Sequence, residues 1–153
     1  MNLKSATRAY QEAAISGASN VELVLMMYDM IIEDLDRTIK AAADKDIDTR
    51  TTETKHVLAV LEQLQGTLDM TNGGAAAVNM DHLYSVTRGK LLEASIKNST
   101  ALFRELREIF VELKAAWMQV GKVKREDAIH EEYVGSPILS ESASDTAACD
   151  WSA

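Results

Sequence analysis

The sequence has little of the residue types that interrupt helices or favour strands. Its 153 residues include one proline, Pro137, and seven glycines, and aromatic side chains make up 5% of the chain. Proline and glycine disfavour helix interiors, whereas aromatic side chains favour strands. Hydrophobic residues still account for 46% of the chain, which is enough for one ordinary core. A single all-α domain is therefore predicted.

Positive charge is also scarce, because 16 lysine and arginine residues face 24 aspartate and glutamate residues, for a formal net charge of −8. Such a chain is repelled by nucleic-acid backbones and anionic membrane surfaces. It has no apolar run of 18 residues, so no membrane insertion is expected. The single cysteine, Cys149, cannot form an internal disulfide, and the N-terminus lacks the apolar stretch of a signal peptide. The chain is expected to act in the cytosol, without nucleic acid.

Motifs that carry catalysis or bind a cofactor are missing as well. The sequence contains no Gly-x-Ser-x-Gly elbow and no phosphate-binding glycine loop. A di-metal site in a helical bundle needs Glu-x-x-His on two helices, and only Glu53 to His56 has that spacing. We interpret His56 as a solvated histidine on a polar helix face. The sequence therefore predicts no enzyme activity, no metal and no cofactor.

Apolar residues recur at three- and four-residue steps in four segments, which is the spacing of a buried helix face. Turn signals separate the segments, chiefly a capping box of Ser19 with Glu22 and the breaker Asn72-Gly73-Gly74. Gly121 is predicted to end the fourth helix. The predicted helices span about residues 19–43, 47–70, 78–97 and 98–121. Because short connections make sequential helices antiparallel neighbours, we expect an antiparallel up-down four-helix bundle over residues 19–121.

The two flanks of the chain lack this spacing. Residues 1–18 hold too few large apolar side chains for a stable helix, so they are predicted to form a mobile N-terminal arm. Residues 122–153 begin with a short basic cluster and continue with Glu, Ser, Ala and Asp residues that have little to bury. This composition predicts a disordered acidic C-terminal tail.

Two of the predicted helices carry more apolar surface than one buried face requires. On the first helix, Leu23, Met26 and Met30 project opposite the core stripe. The third helix also has a second side, made of Val78, Ser85, Gly89, Leu92 and Ile96. Its small residues would let a neighbouring backbone approach closely, and flexible methionines can repack around a partner. Either a partner protein or the chain's own arm or tail covers these sides.

Several short strings, kept in order along the chain, point to a known family. They are Arg8-Ala9-Tyr10, Ala18-Ser19, Glu22-Leu23, Leu25 to Asp29, Leu68-Asp69, Gly73-Gly74, Asn79, Leu83-Tyr84, Leu91 to Ala94 and Ala116-Trp117. Together they cover about residues 8–118, and they resemble the FliS family of flagellar secretion chaperones. The resemblance implies a chaperone that binds the disordered C-terminal segment of flagellin and prevents premature polymerisation. It also implies delivery of flagellin to a flagellar export gate protein of the type III secretion apparatus.

The resemblance and the apolar pattern together predict the binding residues. The predicted flagellin groove consists of Leu23, Met26, Met27, Met30, Tyr84, Gly89, Leu92 and Ile96. In the arm, Ala9 and Tyr10 are expected either to plug the empty groove or to contact the export gate. The resemblance implies no cofactor and is compatible with a homodimer. A helical module for another export substrate or a flagellar regulator would show the same pattern and remains the alternative.

Overall fold

Four helices make up the part of the chain that the structure describes. They are α1, Asn20–Ala43; α2, Ile47–Gly66; α3, Gly74–Lys97; and α4, Thr100–Gly135. The computed structural model describes residues 20–135, apart from the side chains of 123–125, 128 and 131–135. Within this range there is no strand, and none of the helices is long and apolar enough to span a bilayer. The predicted all-α fold is confirmed.

Some of the sequence predictions fall on residues that lie outside this range. The N-terminal arm, the capping Ser19 and residues 136–153 of the C-terminal tail are not among the described residues. Ala9 and Tyr10 lie in the same undescribed N-terminal segment. The division into arm, bundle and tail therefore stays a prediction.

Polar contacts between α1 and α2 show that these helices run in opposite directions. His56 of α2 is hydrogen-bonded through its Nδ1 atom to the Asp34 carboxylate of α1. Three residues further along α1, the Arg37 Nε–H donates to the Glu53 carboxylate at 3.0 Å. The position on α1 rises by three while that on α2 falls by three. This is the register of an antiparallel pair.

Two ion pairs show the relative direction of the first and last helices. Lys114 of α4 forms an ion pair with Asp29 of α1, and Arg107 of α4 pairs with Asp36 of α1, each at 2.5 Å. Moving seven residues forward along α1 moves the contact seven residues back along α4. These two helices are therefore antiparallel neighbours, and α1 has a partner on each flank.

The third helix completes the bundle between α2 and α4. The Gln65 side chain of α2 donates to the Asp81 carboxylate of α3 at 3.1 Å, and Lys90 of α3 lies 3.8 Å from the Glu105 carboxylate of α4. With short connections at residues 67–73 and 98–99, consecutive helices alternate in direction. The predicted antiparallel up-down arrangement is confirmed for the described residues.

Side-chain caps explain where several helices begin and end. The Asp46 carboxylate accepts hydrogen bonds from the backbone N–H and the hydroxyl of Thr49 at 3.0 and 2.6 Å, which starts α2 and lowers the pKa of Asp46. Asn98 ends α3 in the left-handed conformation, with φ of 49°. The Ser99 hydroxyl oxygen then accepts from the Leu102 N–H at 3.2 Å and starts α4.

The connection between α2 and α3 has the predicted length but lies four residues earlier in the sequence than predicted. α2 ends at Gly66, four residues earlier than expected, because the Asp69 carboxylate accepts from the backbone N–H groups of Thr71 and Asn72 at 3.0 and 2.9 Å. Such bonds hold an aspartate turn in place of further helix. α3 begins at Gly74, whose φ of +57° suits glycine, four residues earlier than predicted.

The prediction that Gly121 ends the fourth helix was wrong, because α4 continues to Gly135. A glycine that ends a helix usually adopts a positive φ, and Gly121 does not. The close approach of α1 explains the glycine instead, since a Cβ atom there would lie 3.1 Å from Cγ1 of Val21. The chain divides into two compact units after this residue, 1–121 and 122–153. The backbone of the second unit is helical through Gly135.

The hydrophobic core lies where the inward sides of the four helices meet. Its largest side chains with less than 2% exposure are Met27, Tyr28, Ile31, Leu35, Val57, Leu61, Leu64, Tyr84, Leu91, Phe103, Leu106 and Phe110. Burying one such side chain contributes about 1.5–3 kcal/mol relative to leaving it in water. Every one of the four helices supplies residues to this core, so none of them is peripheral to the bundle.

Candidate functional site

The third helix has apolar residues on two sides, and the structure shows which side is buried. Its inward side comprises Ala77, Tyr84, Thr87, Leu91 and Ala94. These residues recur at the three-, four- and seven-residue steps of one helix face. The inward side of α3 therefore supplies its share of the core without using the second apolar side.

The second side of α3 is exposed, as its pattern in the sequence suggested. We call it the outer face and define it by Val78, Gly89, Leu92 and Ile96 of the predicted side together with the exposed Val86. The predicted Ser85 is also exposed, but its hydroxyl contacts Gln65 of α2. Leu92 is 45% exposed and Ile96 is 86% exposed, although both are large and apolar. Single exposed apolar residues are common, but four exposed large apolar side chains on the outer half of one helix are a feature of interaction surfaces. The outer face is thus the candidate partner-binding surface.

Gly89 lies in the middle of the outer face with open space around it. A Cβ atom built there would have no neighbouring atom within 4 Å outside its own helix turn. The sequence predicted that a neighbouring backbone could approach this glycine closely, and the structure provides no such neighbour. Glycine in a helix interior costs roughly 0.5–1 kcal/mol relative to alanine. Nothing in the described bundle offsets that cost, so packing within the described fold does not explain the glycine.

Replacing Gly89 by alanine is expected to raise the free energy of unfolding by about 0.5–1 kcal/mol, because the helix gains propensity and no atom obstructs the new methyl group. Urea unfolding followed by circular dichroism measures this change. Gly121→Ala is the matched control, and its gain should be smaller because Cγ1 of Val21 lies 3.1 Å from the new Cβ. A loss of stability in Gly89→Ala would show that a segment of the chain packs on this glycine.

The predicted groove residues of α1 lie in a different environment from the outer face. Leu23 and Met30 are buried with the core, at 9% and 7% exposure, and Met27 is fully buried. Met26 is partly exposed. α1 has ion-pairing neighbours on both flanks, so more of its circumference is covered than the one stripe expected for a bundle helix. Of the four predicted residues of α1, the structure therefore leaves only Met26 partly exposed, and Leu23, Met27 and Met30 do not reach the surface.

Tyr84, another predicted groove residue, faces the core and not the surface. Its side chain is 1% exposed, and its hydroxyl is 2.7 Å from the hydroxyl of Tyr28 on α1. The Tyr28 ring packs against Phe110 and Trp117 of α4, with ring centroids 5.7 and 6.5 Å apart. Burial raises the pKa of both tyrosines, so both hydroxyls keep their protons at neutral pH. The pair joins α1 to α3 through the middle of the core.

Gln65 on α2 is a residue that sequence reasoning missed. Its amide nitrogen donates to the Asp81 carboxylate and to the Ser85 hydroxyl, both at 3.1 Å. Its amide oxygen accepts from the Arg88 guanidinium at 2.6 Å. One side chain of α2 thus holds three residues on neighbouring turns of α3. A glutamine at the polar edge of an amphipathic helix carries no signal of this role, because the role depends on what the next helix places opposite it.

His56 is buried, so its interpretation as a solvated histidine was wrong. It is 7% exposed and its Nδ1 atom is hydrogen-bonded to Asp34, which is fully buried. Arg37 pairs with the same carboxylate and with Glu53. Burial raises the pKa of Asp34, and the hydrogen bond and charge of His56 and the charge of Arg37 oppose that rise.

The Glu53 to His56 spacing therefore serves an interhelical polar network. Removing one partner from a buried ionic network leaves the others unpaired, which is strongly destabilising. The network thus ties α1 to α2 in one register. Among the described residues, no group of three or more His, Cys, Asp and Glu side chains is arranged to hold a metal ion.

The sequence was compared with protein families and with proteins of known function. Residues 3–124 match the family described as "Flagellar protein FliS". The chain is 27% identical to a flagellar secretion chaperone FliS of Vibrio cholerae over 77% of this chain and 90% of that protein. It is 27% identical to the flagellar secretion chaperone FliSB of Pseudomonas aeruginosa over 76% of this chain and 96% of that protein. It is 24% identical to the FliS chaperone of Bacillus subtilis over 83% of this chain and 94% of that protein. Because the match spans most of the helical bundle, the chain belongs to the FliS family.

Proposed function

We propose that this protein is a flagellin export chaperone. It binds the C-terminal segment of flagellin in the cytosol, prevents premature polymerisation and delivers the subunit to the export gate of the flagellar type III apparatus. The observation that carries the proposal is the family match over residues 3–124. The exposed outer face of α3 supports it, because a chaperone for an unfolded segment needs apolar surface that its own chain does not use.

The outer face alone provides too little binding free energy, so the segment has to contact other parts of the bundle as well. Burying a fully exposed large apolar side chain contributes about 1.5–3 kcal/mol. The four apolar side chains of the outer face are already part-buried, so covering them completely contributes about 3–7 kcal/mol in total. A micromolar dissociation constant requires a net free energy of about −8 kcal/mol, after the costs of association and of ordering the segment. The bound segment therefore covers further apolar side chains, and Val111 and Met118 of α4 are exposed and suited to this. A flagellin segment that wraps around more than one helix meets this requirement.

The predicted roles of the remaining groove residues rest on the family resemblance. The segment reaches Met26 on α1, which is partly exposed, more readily than the buried Leu23, Met27 and Met30. Access to the buried three requires local opening of α1 or displacement of whatever lies over it. Contact of Ala9 and Tyr10 with the groove or the export gate, and formation of a homodimer, stay predictions.

Co-purification with flagellin tests the proposed function. Tagged chaperone is mixed with monomeric flagellin that either retains or lacks its last forty or so residues, a length that matches a wrapping segment in order of magnitude. Full-length flagellin is expected to be retained and the truncated form to be lost. Equal retention of both forms would refute the C-terminal segment as the ligand. Retention of neither form would favour another export substrate or a flagellar regulator as the partner.

A further inference from the structure

The orientation of α3 about its own axis is not decided by hydrophobic burial alone. Leu91 is fully buried and Leu92 is 45% exposed, yet they are adjacent and chemically identical. A rotation of α3 by about 100° would place Leu92 where Leu91 now lies. Because the inward and outer sides both carry large apolar residues, burial of those residues alone discriminates weakly between the two orientations. Something more specific must select the observed orientation.

A buried hydrogen bond between two helices favours one orientation, because its donor and acceptor must face each other. The Tyr84 hydroxyl meets the Tyr28 hydroxyl at 2.7 Å in the core, and rotation of α3 would break this contact and leave Tyr28 with Trp117 as its remaining side-chain partner. Thr87 is also buried on α3, but its hydroxyl donates to the Leu83 carbonyl of its own helix at 2.8 Å. That bond turns with the helix, so it does not favour one orientation. Among the buried polar contacts of α3, the tyrosine pair is the one that crosses to another helix.

Gln65 holds the same helix from its α2 side. Its amide nitrogen contacts Asp81 and Ser85, and its oxygen accepts from Arg88, which is three residues beyond Ser85 on the same edge. Rotation would separate all these groups from Gln65 and turn the charged side chains of Asp81 and Arg88 toward the core, where they would lose water. On the α4 side, Lys90 and Glu105 are 3.8 Å apart and well exposed, and such surface pairs contribute little. The orientation is therefore held from α1 and α2.

We infer that Gln65 and the Tyr28 and Tyr84 hydroxyl pair are positioning residues that set the rotation of α3 and keep its outer face exposed to the partner. The inference rests on the proposed function in treating the outer face as the binding surface. Tyr84 has 1% exposure and Gln65 contacts α3, so both act through α3 without presenting a large surface of their own. Their effect on binding is indirect, through the exposure of Leu92 and Ile96.

Thiol labelling measures the orientation of α3 in the free protein, without any partner. The single native cysteine is removed as Cys149→Ser, and one reporter cysteine is placed either at exposed Ile96 or at fully buried Ala94. In the otherwise native chain, the Ile96→Cys thiol should react quickly with a thiol reagent and the Ala94→Cys thiol slowly. The double variant Gln65→Met with Tyr84→Phe removes the positioning contacts and largely keeps side-chain volume.

Rotation and simple loosening give different labelling results. If the contacts set the orientation, the double variant labels Ile96→Cys about tenfold more slowly and Ala94→Cys faster, since tenfold corresponds to a rotated population of about 90%. Loosening of the fold would speed Ala94→Cys and leave Ile96→Cys unchanged, which overturns the inference. Thr87→Val is the matched control, and it should leave the Ile96→Cys rate unchanged. If the double variant does not fold by circular dichroism, Tyr84→Phe and Gln65→Met are tested singly against the same two outcomes.

Binding of a flagellin C-terminal peptide provides the second readout. In chains that keep Ala94 and Ile96, the double variant should bind the peptide at least tenfold more weakly than the parent chain. This corresponds to a loss of about 1.4 kcal/mol in binding free energy. Unchanged affinity despite slowed labelling at Ile96→Cys would overturn the claim that these residues position the binding surface. If the parent chain itself fails to bind the peptide, the proposed function fails, while the labelling result still decides what orients α3.

Discussion

Leu92→Asp and Ile96→Asp are each expected to lower the affinity for the flagellin C-terminal segment by about tenfold to a hundredfold, a change of about 1.4–2.8 kcal/mol. Both side chains are exposed on the outer face of α3, where a carboxylate in the free protein stays hydrated. In the complex, the same carboxylate would lie against apolar partner groups and lose its water without gaining an ion pair. Isothermal calorimetry with the purified segment measures the loss.

The controls for this prediction separate binding from folding and from charge. Thermal unfolding of both variants should stay close to that of the parent chain, because surface substitutions usually change stability by less than about 0.5 kcal/mol. Thr52→Asp adds the same charge at an exposed position of α2 and should leave the affinity unchanged. Unchanged affinity in both α3 variants would remove the outer face from the binding surface, whatever the result for full-length flagellin.

Leu91→Ala is expected to lower the free energy of unfolding by about 2–5 kcal/mol, whereas Leu92→Ala should lower it by less than about 1 kcal/mol. The two leucines are neighbours in the chain, but Leu91 has no exposed surface and its removal leaves a cavity among core side chains. Leu92 is 45% exposed, so truncation removes less buried apolar surface and leaves no enclosed cavity. The two midpoints of urea unfolding, read with their slopes, give the comparison directly.

This pair of substitutions also tests the orientation of α3. Both variants remove the same atoms from the same helix and change helix propensity equally, so propensity cancels in the comparison. A larger loss for Leu92→Ala than for Leu91→Ala would mean that the second side of α3 is the buried one in solution. Equal losses would indicate that α3 samples both orientations, and the outer face would then be only partly available to a partner.

The helical content and the connections on either side of the α2–α3 turn could be predicted from local signals. Asp46 and Ser99 bind amides within three residues of themselves, so the starts of α2 and α4 depend on short stretches of sequence. Gly121 failed as a predicted helix end because a glycine can either close a helix or admit a neighbour. In this fold it admits Val21 of α1, which is a hundred residues away in sequence. No local pattern distinguishes these two uses.

The candidate site was predictable in part, because only some of it follows from local sequence pattern. The outer face of α3 follows from helical periodicity, because a helix with two apolar sides in a small bundle has one side left over. The similar surplus on α1 could not be assigned in this way. α1 has ion-pairing neighbours on both flanks, and Leu23 and Met30 are buried with the core. How many neighbours a helix has is a property of the packed bundle.

Sequence pattern alone was sufficient for the all-α class, the four helices, most of their ends and the family, because all of these depend on the spacing and order of residues along the chain. Tertiary structure was needed to show that His56 is buried against Asp34, that Gln65 contacts three residues of α3, and that Tyr84 faces Tyr28. These contacts join residues between 16 and 56 positions apart. Hydrogen bonds of that kind require both partners to be in place, so they are decided only when the helices have packed.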